Sequence, residues 1–278
     1  MLVADRGHFV GYEVSEGVSV ITLDRKPLNV YDAAFHIEFQ QAWRVARDDG
    51  NSNAVLMQAN GKHFCAGANM GERVDAPAGF VELSPPEEIL LIKNTMKPTI
   101  AAVNGGCIGG GQRMVWPCDI IFCSTDAFFM DPTANMGIGG IQSHLHTWFY
   151  GPRLAKEMIY SGGRLPAERL YATGQVNRLY PDHPTLHAEA FAFAQQVATK
   201  DPVALRQAKN ASDITMDIIG QHYVLSRMRE LLDEPATFKL PTVSEVPTTA
   251  KPTVTEASAT EASVAEATAP NNRPNNRE

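Results

Sequence analysis

The chain has 278 residues, 44% of them apolar and 20% charged, with a formal net charge of −7. Such a balance belongs to a globular chain that can bury a sizeable core, and its acidic sign, without clustered Lys and Arg, argues against nucleic acid as a partner. No apolar run approaches the roughly 18 residues of a membrane span, and Met1 to Gly11 has no signal-peptide core, so a cytoplasmic home with no membrane partner is expected.

In chain order, alternation in His8 to Val14 and Val18 to Leu23 predicts an opening hairpin across Glu16-Gly17. Asp32 caps a helix through Arg47, with Phe35, Phe39, Ala42, Trp43 and Ala46 at helical spacing. Ala54 to Gln58 reads as a buried strand, and Pro86 to Met96 as a helix with Glu87 and Glu88 in its first turn. Thr99 to Val103 is a third buried strand, the glycines from Gly105 to Gly111 lead into a short helix, and Asp119 to Cys123 and Phe128 to Met130 are further strands. Helices follow over Gln142 to Tyr150, Arg153 to Tyr160, Pro166 to Thr173 and Leu186 to Thr199, and Asp201 opens a last helical region to about Leu232.

Strand, glycine turn and helix in repetition predict an α/β fold with parallel strands and its site at strand ends. From about Pro241 the chain turns to Thr, Ala, Ser, Glu, Pro and Asn, a composition that cannot offset its ordering entropy, so 241–278 is expected to be a disordered low-complexity tail. Cys65, Cys107, Cys118 and Cys123 lack CxxC spacing and sit among apolar neighbours, the pattern of buried thiols, so neither a metal nor a disulfide is assigned.

Two glycine-containing segments end neighbouring predicted strands, GKHFCAGANM at 61–70 and NGGCIGGGQRM at 104–114. Neither has the Gly-Lys-Ser/Thr ending of a P-loop or an early GxGxxG. Two opposed backbone N–H donors without a phosphate can instead stabilise an oxyanion, such as develops on a thioester carbonyl when the neighbouring carbon is deprotonated.

The order of these motifs resembles the crotonase superfamily, the enoyl-CoA hydratases and isomerases. DRKPLNVYD at 24–32 resembles its early segment and HFCAGANM its FxAGAD turn. KPTIAAVNGGCIGGGQRMVWPCDIIF at 97–122 resembles its central strand, glycine turn and helix, and FFMDPTANMGIGG at 128–140 the element after that. The resemblance spans about residues 8–235 and implies a ββα spiral core (1–200), a C-terminal helical region that joins trimers or hexamers (201–240), and coenzyme A as part of the substrate, with no separate cofactor. It makes the N–H groups of Ala68 and Gly110 the oxyanion donors, with the dipole of a helix behind Gly110. It also sets Ala66 beside the CoA adenine and Arg25 near a CoA phosphate.

The chain departs from the family at the two glutamates that hold water in hydratases, where it has Arg113 and Thr133. A guanidinium is no base near neutral pH and a lone Thr hydroxyl is a poor one, which ranks isomerisation or C–C hydrolysis or cleavage above hydration. Candidates to carry protons are Asp131, two residues before Thr133; His144, with His146 as its neighbour; and Glu87, with Glu88 beside it. His63 precedes the first turn, where contact with the CoA chain is expected, and Trp116 and Trp148 read as core. Arg113, if it faces the pocket, can bind a substrate carboxylate or hold an enolate. Two other readings stay open: a non-catalytic crotonase-like CoA-binding protein, and a CoA-independent diketone hydrolase.

Overall fold

In the computed structural model the described residues are 9–71, 83–137, 143–221 and 223–225, without the side chains of Ser143 and His144. The predicted tail, 241–278, lies outside the described residues.

The hairpin forms as expected, with β1 (Val10–Ser15) antiparallel to β2 (Val18–Leu23). Its two-residue turn holds Glu16 at φ 49° and Gly17 at φ 79°, the doubly left-handed turn that matches strand twist. Helix α1 (Ala33–Asp48) starts where the Asp32 side chain accepts the Phe35 N–H. Its inner face buries Phe35, Phe39 and Trp43 completely, each stabilising the fold by about 1.5–3 kcal/mol. Next come β3 (Ala54–Ala59), α2 (Pro85–Lys93), β4 (Thr99–Val103), β5 (Gly106–Ile108), a 3-10 turn (Gly109–Gly111) and α3 (Gln112–Val115). They are followed by β6 (Ile120–Ser124), β7 (Phe128–Met130), a 3-10 turn (Thr133–Met136) and α4 (Ser143–Ser161), which Gly151 at φ 74° divides into the two expected helices. The rest is β8 (Arg164–Pro166), α5 (Ala167–Ala172), β9 (Arg178–Tyr180), α6 (His183–Ala198) and α7 (Pro202–Ile218).

Six strands form one sheet in the order β1-β2-β3-β4-β6-β9, parallel from β2 onward, and β5-β7-β8 form a second. Burial on both faces explains why β3 and β4 read as continuous apolar runs. Val55, Met57, Ala101 and Val103 face the core beneath α1 and α2. Leu56, Ile100 and Ala102 face Leu186, Ala190 and Ala194 of α6.

All four cysteines are free and buried, and burial pushes the Cys65 thiol up to about 12. Among the described residues no helix is long and apolar enough to cross a membrane. Two expectations change. The last helical region is broken, with α7 ending at Ile218 and Gly220 at φ 116°, and its expected end at 226–232 lies outside the described residues. Strands β5, β8 and β9, three residues each, were not foreseen.

Candidate active site

Since β2, β3 and β4 run parallel as neighbours, the segments that follow them, 24–32, 60–68 and 104–111, leave the sheet at the same end. Side chains and backbone then sew these segments together. Asn29, buried at φ 52°, donates its amide to the carbonyls of Asn60 and His63, both at 2.9 Å, and accepts the Arg25 N–H at 2.7 Å. Cys65 donates its N–H to the Gly106 carbonyl at 3.1 Å and accepts the Ile108 N–H at 2.8 Å. The His63 Nδ1 accepts the Gly106 N–H at 2.9 Å, so this ring braces the second glycine turn. Gly105, at φ 55°, lies so close to the Lys62 carbonyl that a Cβ there would collide with backbone.

The two donor segments are therefore fixed against each other. Ala68 is exposed, and its neighbours are held by Tyr31, whose N–H donates to the Gly67 carbonyl (3.0 Å) and whose carbonyl accepts the Asn69 N–H (2.7 Å). Among the described residues, neither the Ala68 nor the Gly110 N–H is engaged by an acceptor. Gly110 is the second residue of a 3-10 turn, where an N–H has no partner within the helix. The dipole expected behind it is reduced, because α3 is only four residues long.

Tyr31, which the sequence reading passed over, reaches this point with its side chain. A Cβ on Gly110 would collide with the Tyr31 hydroxyl and lie 3.0 Å from an Arg113 terminal nitrogen. Arg113 thus faces inward, its guanidinium carbon 5.6 Å from the centre of the Tyr31 ring. Burial raises the Tyr31 pKa, with Arg113 pulling the other way, so the phenol stays protonated near neutrality and can donate.

The two neighbouring glutamates of α2 do different work. Glu87 turns back on its own helix and accepts the Ser84 N–H (2.8 Å) and hydroxyl (2.6 Å) in a capping box. Glu88 points inward and is buried, its Oε2 2.7 Å from His36 Nδ1 and 2.9 Å from the Gln40 amide, while among the described residues its Oε1 has no hydrogen-bond partner. Burial pushes this carboxyl up, but His36, Arg113 and Gln40 together bring it below the ordinary value.

A second buried pair follows β7. Asp131 Oδ1 accepts the Thr133 hydroxyl at 2.6 Å and its N–H at 3.0 Å, and Oδ2 lies 3.1 Å from His146 Nε2. Burial opposes ionisation of Asp131, yet His146 and Thr133 hold its pKa below the usual range. Of the candidate histidines, His146 is the one placed against Asp131; the side chain of His144, at the start of α4, lies outside the described residues. Trp116 is core, stacked on Phe149 with its indole N–H donated to the Tyr150 hydroxyl at 2.8 Å.

Arg25 and Ala66 stand in the sewn segments. The Arg25 guanidinium binds Asp32 (2.7 Å) and the Val30 carbonyl (3.1 Å) and covers the Phe9 ring, partners it would have to leave to meet a phosphate. Ala66 is partly exposed and donates its N–H to Leu28.

A mixed α/β fold whose strand ends present paired backbone donors beside a glycine turn defines a crotonase-type protein. The family described as Enoyl-CoA hydratase/isomerase matches residues 13–263, and the chain belongs to that family. It is 33% identical over 211 residues to a carnitinyl-CoA dehydratase of Escherichia coli, covering 71% of this chain and 77% of the relative. A mitochondrial Delta(3,5)-Delta(2,4)-dienoyl-CoA isomerase of Dictyostelium discoideum is 30% identical over 212 residues, covering 69% and 72%. Among solved structures, a probable enoyl-CoA hydratase from Mycobacterium thermoresistibile superposes with a TM-score of 0.71 at 36% identity, covering 80% of this chain and 94% of that one. The chain is thus an enoyl-CoA hydratase/isomerase-like enzyme of the crotonase superfamily.

Proposed function

We propose that the protein binds an acyl-CoA thioester with its carbonyl oxygen between the N–H groups of Ala68 and Gly110 and stabilises the enolate formed there. The carrying observation is the pair of unengaged N–H groups on segments locked together through Cys65. The Tyr31 hydroxyl adds a neutral donor beside Gly110. Coenzyme A enters as part of the substrate, and no separate cofactor is invoked.

Arg113 and Thr133, at the positions of the hydratase glutamates, favour isomerisation or C–C cleavage over water addition. The proposed proton path starts at the substrate α carbon. The C–H electrons move into the enolate, the proton goes to Thr133 Oγ1, and the hydroxyl's own proton passes to Asp131 Oδ1 across the 2.6 Å contact. The competing reading, a CoA-binding protein without turnover, draws support from the same carboxylate: two bonds from Thr133 and the contact with His146 already satisfy Asp131, as in a turn-forming residue. In a CoA-independent diketone hydrolase a pair of histidines would share the pocket; here His36 and His146 are each bound to a carboxylate.

Exposed Ile214, Ile218, Ile219 and Tyr223 in the C-terminal helical region support assembly into trimers or hexamers, and a cytoplasmic location completes the reading. The test is deuterium exchange from D2O into the α position of butyryl-CoA, with binding followed by calorimetry. Exchange by the native protein that falls about 100-fold or more in Asp131→Asn supports the path, a loss in the usual range for a general base. Binding without exchange favours the non-catalytic reading, and absence of binding to any acyl-CoA overturns the assignment.

A further inference from the structure

Arg113 carries a charge that no carboxylate meets directly among the described residues. Among the described residues its buried Nε has no hydrogen-bond partner and its guanidinium forms neither a hydrogen bond nor an ion pair. A carboxylate that feels this charge, Glu88, has its Oε2 on His36 and Gln40, and its Oε1 makes no hydrogen bond to Arg113. A half-buried guanidinium whose Nε is out of water and unpaired is costly unless an anion meets it, and its planar fork suits an acceptor with two oxygens.

The place of that charge narrows the ligand. One terminal nitrogen lies 3.0 Å from where a Gly110 Cβ would stand, with the Tyr31 hydroxyl against the same point. Two backbone donors already serve a thioester oxygen there, and a single oxygen would leave most of the Arg113 fork unused. A carboxylate a few bonds from the thioester carbonyl would occupy it and take a further bond from Tyr31.

We infer that the substrate is an acyl-CoA whose acyl group carries its own carboxylate near the thioester, held by Arg113 and Tyr31. This inference rests on the acyl-CoA reading above. It turns the loss of the first hydratase glutamate into a reversal of charge, from a group that repels a substrate anion to one that attracts it.

Calorimetry on the full chain with malonyl-CoA and glutaryl-CoA against acetyl-CoA and butyryl-CoA tests it. The native protein is expected to bind at least one carboxylated thioester about 10–100-fold more tightly than its neutral counterpart, the range for a charge-assisted hydrogen-bonded contact. In Arg113→Gln that ratio collapses toward one, in Arg113→Lys part of it returns, and in Tyr31→Phe it falls by a smaller factor, with each variant's fold checked by its thermal transition. Equal affinity of the native protein for both classes overturns the inference, as does an Arg113→Gln variant that weakens all four ligands alike, which would place Arg113 against the thioester or coenzyme A portion that all four share. Absence of binding by every thioester instead overturns the acyl-CoA reading itself.

Discussion

His36 Nδ1 lies 2.7 Å from Glu88 Oε2, and with side chains only 4% and 2% exposed the two residues join α1 to α2 beneath Tyr31. The His36 ring meets the Tyr31 ring edge-on at 4.6 Å, so the pair also supports the phenol that stands at Gly110. Removing one member of such a buried pair strands the other, whereas replacing the carboxylate by its amide keeps the shape and removes the charge.

His36→Leu is accordingly expected to cost about 3–5 kcal/mol in urea unfolding, and Glu88→Gln clearly less. The pH dependence has a definite sign. Glu88 titrates below its ordinary value in the folded state, so its contribution is present above the unfolded value near 4.5 and is lost as pH falls through the folded value. Urea midpoints measured from pH 6 to 3 should therefore fall less steeply in Glu88→Gln than in the native protein; parallel curves would show that the pair does not govern acid stability.

A second pH effect belongs to the glycine turn. His63 accepts the Gly106 N–H through Nδ1, which requires that nitrogen unprotonated, and burial, followed by Lys62 and Arg164, lowers its pKa. A depressed histidine stabilises the fold fully above 6.5 and loses that contribution as pH falls through the folded value. Turnover and midpoint should decline together on acidification below 6.5, and His63→Ala should remove part of the slope. His187, also lowered by burial and by His183, will keep the remainder.

How much of this was legible in the sequence depends on how local each feature is. The glycine turns were, since Gly105 and Gly110 stand where no side chain fits, a demand visible in the residue type itself. The α1 cap and the apolar runs of β3 and β4 were equally local. Tyr31 was not, because its approach to Gly110 exists only once three segments leave neighbouring parallel strands. The choice between Glu87 and Glu88 was decided by a signal that is present, Ser84 three residues before Glu87, which marks Glu87 as a capping-box acid and leaves Glu88 to turn inward. Gly220 likewise marked the end of α7. Strands β8 and β9 are too short for alternation to show, and they are placed by pairing with β7 and β6.

The closest approach in the site yields the last prediction. In Gly110→Ala the new methyl must displace the Tyr31 ring, whose Cζ would lie 2.6 Å away, and the Arg113 nitrogen at 3.0 Å. Tyr31 is tied by its backbone to Gly67 and Asn69, so the 3-10 turn rather than the ring is expected to shift, carrying the Gly110 N–H away from the thioester oxygen proposed as its acceptor. The exchange rate should drop about 10²–10³-fold, the usual effect of losing one oxyanion donor, with a stability cost of about 1–3 kcal/mol from overpacking. Removing the obstruction separates the two causes. In the double variant Tyr31→Ala, Gly110→Ala the turn can settle back, so exchange should recover at least about tenfold if misplacement of the N–H is the defect, because one factor of ten corresponds to only about 1.4 kcal/mol of restored transition-state stabilisation. A double variant as slow as Gly110→Ala alone would instead mean that the Tyr31 hydroxyl is itself indispensable to the oxyanion, and that the phenol contributes as much as the backbone donor beside it.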